Sequence, residues 1–503
     1  MRSPLVHKSS AISMWTSRGV VAACLACAVL WSSGCAGGGN QGAALSGNTQ
    51  VTILATTTAN DRWTYFGAGV STLTLTSQNG KTVSLLQTAA GDEFMHLNGT
   101  VEPLTTVSIP AGIYTSATAS LSGLGFECVT SNSAGGITDS TTSYQIPIPA
   151  ASVTVTLPKP ITISGTSAGL LLDLQISKSL TYPPGCGNSQ VSYTVTPTFV
   201  LTSMAIPGQS TNSGNGKVLN LMGMVTSINS GGSEFTVTSP FSVETDVQVS
   251  NNTVFQGIQN FSQLAVGMPV DVDGALQQGG SITASRLAVY DTNTTNLSID
   301  IGPLLLTNMT WSGLSSSSHL LALQGAEASE GKILGMSHYP YWDYSNATFQ
   351  TTAQFSNVTS LPFSASFNSS NMAAGQRVML TSHLPSIPQQ NPYGNPQPTV
   401  NTVTLLPQVV NGTVSSITTE GGFTLYTVTL ASYDIAPTFA ATPNQNSALA
   451  NPSTVVVYAD SNAQMLNTAP IAVGSVARFY GLVFNDNGTL RMDCAQINDG
   501  VAE

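Results

Sequence analysis

Ser71-Thr72-Leu73-Thr74-Leu75-Thr76 and Ser152-Val153-Thr154-Val155-Thr156-Leu157 alternate apolar and hydroxylated residues without a break. Successive side chains of a strand point to opposite faces, so this period of two describes strands buried on one side. β-branched Val and Thr suit such half-buried surfaces. Turn signals, Asn79-Gly80 and Pro110-Ala111-Gly112, punctuate the alternation, and no window carries the 3.6-residue period of a long amphipathic helix. The expected fold class is all-β: an N-terminal β-sandwich over residues 47–205, then two to three small OB-like β-barrel repeats.

Outward from these strands, the C-terminal half repeats itself. Residues 206–217 read as a Pro/Gly/Ser/Asn linker. After it, Met222-Gly223-Met224-Val225 is followed by Leu264-Ala265-Val266-Gly267 and, seven residues beyond Gly267, by Gly274. Near the C-terminus Asn411-Gly412-Thr413-Val414 is followed by Ile471-Ala472-Val473-Gly474 and, at the same spacing, Gly481. The copies are placed at residues 218–291 and 407–503. A weaker one at 292–406 is expected to open with Gly331-Lys332-Ile333-Leu334-Gly335 and to carry its glycine segment at Met372-Ala373-Ala374-Gly375.

The Gly-x-Val…Val-Gly-x-x-Val-x-Val-x-Gly…Ile-x-Ala pattern of residues 222–287 resembles the domain of unknown function 5666 family, which recurs in bacterial envelope proteins, often in tandem. Residues 51–180 resemble the domain of unknown function 4382 family through Ile109-Pro110-Ala111-Gly112-Ile113-Tyr114 and Leu170-Leu171-Leu172-Asp173-Leu174. Neither resemblance implies an activity; both imply the β fold and the envelope address.

The first 34 residues read as a leader. Arg2, Lys8 and Arg18 precede the apolar run Val20–Leu30, which at 1.5 Å per residue extends only ~16 Å and cannot span a bilayer core of ~30 Å. Trp31-Ser32-Ser33-Gly34-Cys35-Ala36 then resembles a bacterial lipobox, with Ser32 where an aliphatic residue is usual. It implies diacylation of Cys35, two chains being what stable anchoring requires, with the outer membrane as destination. Residues 35–46 are glycine-rich and read as a tether.

Composition narrows the partners. Asp, Glu, Lys and Arg make up 7% of the chain, against about a quarter in ordinary domains. The net charge is −11, and without the leader ten basic residues face 24 acidic ones, a net of −14. No basic stripe is left for nucleic acid. The partners expected are a membrane through the lipid and an envelope protein or glycan. Cys128 and Cys186 can pair as one disulfide in an oxidising envelope, while Cys494 has no evident partner. No metal or cofactor is implied.

Several motifs touch on chemistry. Gly165-Thr166-Ser167-Ala168-Gly169 resembles the nucleophile elbow of patatin-type lipases. That chemistry requires a strand, a sharp turn and a helix, and Pro183-Pro184 leaves little room for the helix, so a structural turn is expected. Gly91-Asp92-Glu93-Phe94 resembles the diguanylate cyclase signature, with Ala90 in place of its first glycine, but that enzyme needs a cytosolic α/β domain. Asp271 and Asp273 are expected to face solvent from a strand edge. His96, His319, His338 and His383 lack metal spacing and are expected at surfaces or turns. Tyr339, Tyr341, Trp342 and Tyr344 form the densest aromatic cluster, either a platform for sugar or peptide or a hairpin whose rings fill a barrel end. Pro385–Pro398 is an exposed binding loop or an insertion. The expected function is a non-enzymatic envelope lipoprotein presenting binding or structural surfaces. The alternatives are a lipid or ester hydrolase using Ser167 and a carbohydrate-binding protein.

Overall fold

The computed structural model describes residues 45–131, 137–139, 152–181, 194–204, 206, 216–239, 243–309, 320–323, 326–329, 332–336, 341–352, 355, 361–383, 399–442 and 445–502. Strands dominate and, among the described residues, the longer of two short α-helices has six residues, so the protein is all-β. The alternation works as read: Leu73 and Leu75 are fully buried while Thr72 is exposed and Thr74 half-buried.

Eleven N-terminal strands form one hydrogen-bonded sheet. Trp63–Ser77 runs antiparallel to Gly112–Ser131, and Asn48–Thr58 lies parallel to Ser167–Gln175 and antiparallel to Glu102–Pro110. Phe66, Leu73, Leu121 and Phe126 from one half share a core with Val51, Leu170, Leu172 and Phe199 from the other. The two layers of this domain are therefore two parts of one sheet around a common interior.

The three copies that follow share a topology. In the last, Gln408–Glu420, Phe423–Thr429, Thr454–Met465, Thr489–Asp499 and Val476–Asp486 close a barrel in that order, the third and fourth parallel. This 1-2-3-5-4-1 order is of the OB type. In the first copy Lys217–Asn229, Glu234–Thr238, Glu244–Gln248, Ile282–Val289 and Pro269–Leu276 follow the same order. Its parallel seam is only Val247↔Ile282 and Gln248↔Thr283.

One backbone device recurs in all three. Gly267 N donates to Val225 O (2.8 Å) and Val225 N to Met268 O (3.0 Å); Gly474 N donates to Val414 O (2.8 Å) and Val414 N to Ser475 O (2.9 Å). In the middle copy Gly375 N donates to Leu304 O (2.9 Å) and Leu304 N to Gln376 O (2.8 Å). The glycines have φ of +87°, +90° and +87°, a left-handed turn that glycine adopts without steric cost. Each long strand is bulged just past the bonded residue, between Val225/Ser227, Leu304/Leu306 and Val414/Ser416, and a bulge bends a strand locally. Two positions before that residue stands Gly223, Gly302 or Gly412. A Cβ on Gly223 or Gly412 would sit 2.4 Å from Thr238 O or Thr429 O of the neighbouring strand.

This corrects the expected start of the middle copy. Its opening strand is Leu297–Met309, with Ile301-Gly302-Pro303-Leu304 in the place of Met222–Val225; Gly331–Gly335 overlaps the later strand Lys332–Met336. Ser382 stands seven residues after Gly375 where the other copies have Gly274 and Gly481.

Residues Gly47–Glu503 form one compact unit because the cores run together. Met222 and Met224 pack with Leu297, Ile299 and Met379, Leu482 and Phe484 join Leu304 and Val378, and Leu219 meets Val409 and Tyr480. Gly223→Ala and Gly412→Ala are each expected to destabilise by about 1–3 kcal/mol, because a methyl group must displace a paired carbonyl. Gly231→Ala, where φ is not positive and the nearest atom to an added Cβ is 3.7 Å away, is expected to change stability by about 1 kcal/mol or less. Urea midpoints at unchanged slope measure the difference.

Candidate functional site

The sequence motifs resolve largely into structure. Ser167 is buried and opens the strand Ser167–Gln175, followed by eight further strand residues and not by the helix of a nucleophile elbow. Gly165 supplies a left-handed turn (φ +78°), its carbonyl accepting a 2.8 Å bond from Thr49 Oγ1, and a Cβ on Gly169 would meet Met204 O at 2.7 Å. Both glycines thus serve strand geometry.

The aromatic platform needs correction at two of its four members. Trp342 (0% exposed) and Tyr344 (3%) lie in the middle copy's core, and Tyr344 donates its hydroxyl to Thr307 O at 2.7 Å. A ring with no exposed face cannot stack on a sugar arriving from solvent, so these two fill the interior, the other reading of the cluster. Tyr339 lies outside the described residues, as does the side chain of Tyr341. Cys35, Cys186, His319, His338 and the loop Pro385–Pro398 are outside them too, and so is the Cys128 side chain. Cys494 is buried, and burial pushes its thiol far up, which makes it inert as a nucleophile.

Asp271 and Asp273 do not face solvent. Both are buried, because the strand Pro269–Leu276 is covered on its second face by the packing of one copy against the next. Arg286, opposite Asp273 in the ladder, donates Nε to Asp273 Oδ2 (2.7 Å) and Nη2 to Asp271 Oδ2 (2.8 Å). Tyr290 donates its hydroxyl to Asp271 Oδ2 (2.8 Å), and Asn220 N bonds Asp273 Oδ1 (2.8 Å). Burial raises the Asp271 pKa despite the guanidinium. The arginine charge is spent on two carboxylates, so this cluster is structural.

A second polar group lies where the N-terminal domain meets the copies. Glu93 ends a short strand, its carboxylate receives the N–H groups of Phe66, Met95 and His96, and the 3-10 turn Met95–Leu97 is pinned by buried Met95 and Leu97. His96 is therefore nearly buried, not at a surface. Its Nδ1 is 3.3 Å from Glu93 Oε2 and its Nε2 3.2 Å from Glu102 Oε2. Ser239 of the first copy donates to Glu102 Oε1 at 2.9 Å. Burial pulls the imidazole pKa down, but hydrogen bonds and charge from Glu102 and Glu93 outweigh it and hold it at about 9. His383, the other described histidine, is bonded to Asp291 (3.1 Å) and Thr295 O (2.9 Å).

Beside this bracket lies a cavity of about 110 Å³. Trp63, Met222, Val409 and Ile435 are among its apolar walls, while Glu93, His96, Arg377 and Asp434 supply polar atoms. Arg377 comes from two residues past the Gly375 turn of the middle copy. Asp434 precedes the helix Ile435–Ala440 of the last copy. Its carboxyl is pushed up to about 7 by burial, against the pull of the Ala431 N–H (2.8 Å) and of Arg62, which stacks over Trp63 and Tyr433. A pocket that is largely apolar with a few convergent polar groups is the form binding sites take. The Glu93 and Glu102 carboxylates are taken up by backbone N–H groups, Ser239 and the His96 ring, and among the described residues no set of His, Cys, Asp and Glu is grouped to hold a metal.

Glu-x-x-His with a second Glu six residues on was the available sequence signal, in a chain where charges are scarce. Arg377 and Asp434 carried none, since only the packing of copies brings them to one cavity.

Comparison with known families matches residues 222–288, the barrel of the first copy, to the family described as domain of unknown function 5666. Comparison with curated proteins finds no match.

His96 has a folded pKa above its unfolded value, so its contribution is full below pH ~6.5 and is lost as pH rises through about 9. Stability is expected to fall across that window by on the order of 3 kcal/mol, and His96→Gln to flatten the fall; urea melts from pH 6 to 9.5 measure it. Arg286→Met, which leaves two buried carboxylates uncompensated, is expected to cost about 3–5 kcal/mol by the same assay at pH 7.

Proposed function

We propose that the chain is a non-catalytic lipoprotein of the bacterial cell envelope, held to the outer membrane through acylated Cys35 and presenting its β-domains for binding. The observation that carries this reading is the leader itself. A basic n-region and an eleven-residue apolar run end in Gly34-Cys35-Ala36, and a glycine-rich tether follows. The charge-poor surface fits an envelope protein, and the likeness of residues 51–180 to the domain of unknown function 4382 family, with that of the later copies to the 5666 family, points the same way. The role of Ser167 in strand geometry supports the absence of a hydrolase. Partners are an envelope protein or a glycan, met by short-range polar and apolar contacts.

In a bacterial host, labelled palmitate is expected to enter the protein and the protein to fractionate with membranes. Cys35→Ala is expected to lose both; retention of both by the variant contradicts the anchor. A serine-reactive fluorophosphonate is expected to leave the ectodomain unlabelled. Stoichiometric labelling that Ser167→Ala removes would establish the hydrolase instead.

A further inference from the structure

Two polar groups on the cavity wall, the Arg377 guanidinium and Asp434 Oδ1, have unused hydrogen-bonding capacity. The Arg377 guanidinium makes no hydrogen bond or ion pair among the described residues, although its backbone N–H is held by Gln408 Oε1 at 2.7 Å. Burial lowers its pKa, and the neighbouring charge of Glu93 only partly offsets that. Glu93 cannot move to neutralise it, because its two oxygens already receive three backbone N–H groups and the His96 ring. Glu102 is likewise held by His96 and Ser239. Asp434 is 3% exposed, and its Oδ1 has no partner while Oδ2 accepts the Ala431 N–H.

A half-buried guanidinium with no carboxylate bonded to it is under-compensated, and its planar fork matches a carboxylate with two parallel bonds. Asp434 in its acid form would present an O–H to the same anion. The remaining walls, Trp63, Met222, Val409 and Ile435, ask for an apolar body. A cavity of ~150 Å³ holds benzene, so ~110 Å³ suits about four or five heavy atoms.

We propose that the cavity between the N-terminal domain, the middle copy and the last barrel is a binding site for a short-chain carboxylate of two to three carbons, with Arg377 clasping the carboxylate and the apolar walls enclosing the chain. The site stands apart from the anchor reading, since it uses neither Cys35 nor the leader and can be tested on the ectodomain. A failure here leaves the lipoprotein reading intact, and loss of acylation leaves this site intact.

The experiment is a titration of the ectodomain with acetate and propionate, followed by calorimetry and by line broadening of the ligand's proton resonances. Propionamide, sodium chloride and glycine serve as controls. Saturable millimolar binding of propionate is expected, about tenfold or more tighter than propionamide, the factor a charge-assisted bidentate contact supplies. Binding is expected to weaken above pH 7 as Asp434 ionises beside the bound anion; Asp61, Glu93, His96 and Arg377 on the cavity wall and Arg62 beside Asp434 are the other charges near it. Arg377→Gln is expected to abolish propionate binding and Arg377→Lys to weaken it, and the comparison of propionate with propionamide on the unaltered protein needs no variant to fold. Equal binding of propionate and propionamide, displacement of propionate by chloride at equal concentration, tighter binding of glycine than of propionate, or no saturable binding would each overturn the assignment.

Discussion

Two backbone hydrogen bonds, made three times, hold the C-terminal copies of this protein in register. A glycine in a left-handed turn donates to a bulged long strand, and the strand returns a bond to the residue after the glycine. The bond pair ties the turn to the bulge, and the bulge bends the strand so that one strand serves two neighbours, Glu234–Thr238 and Pro269–Leu276 in the first copy. Barrel closure depends on that bend. In the middle copy the same turn has a second consequence, since Gly375 lies against Ala436 of the last barrel and Arg377 follows it to the cavity wall.

The architecture was legible where a strand has one dry face. Leu73 and Leu75 reveal themselves by alternating with threonine, and Gly267/Gly274 and Gly474/Gly481 by their common spacing. The middle copy's opening strand contains Pro303, whose missing N–H suits a ladder poorly. Proline is tolerated at bulges, and Pro303 precedes the Leu304/Leu306 bulge, so it marks the strand's irregular point. Gly331–Gly335 has a more orthodox composition and sits in a different strand.

The candidate site was legible only in part, for a related reason. Asp271 and Asp273 alternate with Val270 and Val272, which in an isolated barrel puts the carboxylates in water. Packing between copies buries both faces, and only the ladder places Arg286 opposite Asp273. The His96 bracket is local, within ten residues, yet its meaning depends on burial, which turns three ordinary side chains into a closed ion cluster. Arg377 and Asp434 are 57 positions apart on different copies, and no periodicity relates them.

The shared cores also bear on how such a chain can change over generations. A tandem array whose units touch only through linkers can gain or lose a unit freely. Here Leu219, Met222 and Met224 of the first copy, Met379 and Leu482 of the later ones, and Leu54 of the N-terminal domain are each buried against a neighbouring unit. Deleting a copy would strip the cover from those side chains and present adhesive apolar surface. Duplication followed by this burial acts as a ratchet, easy to enter one small substitution at a time and closed to return by a single excision.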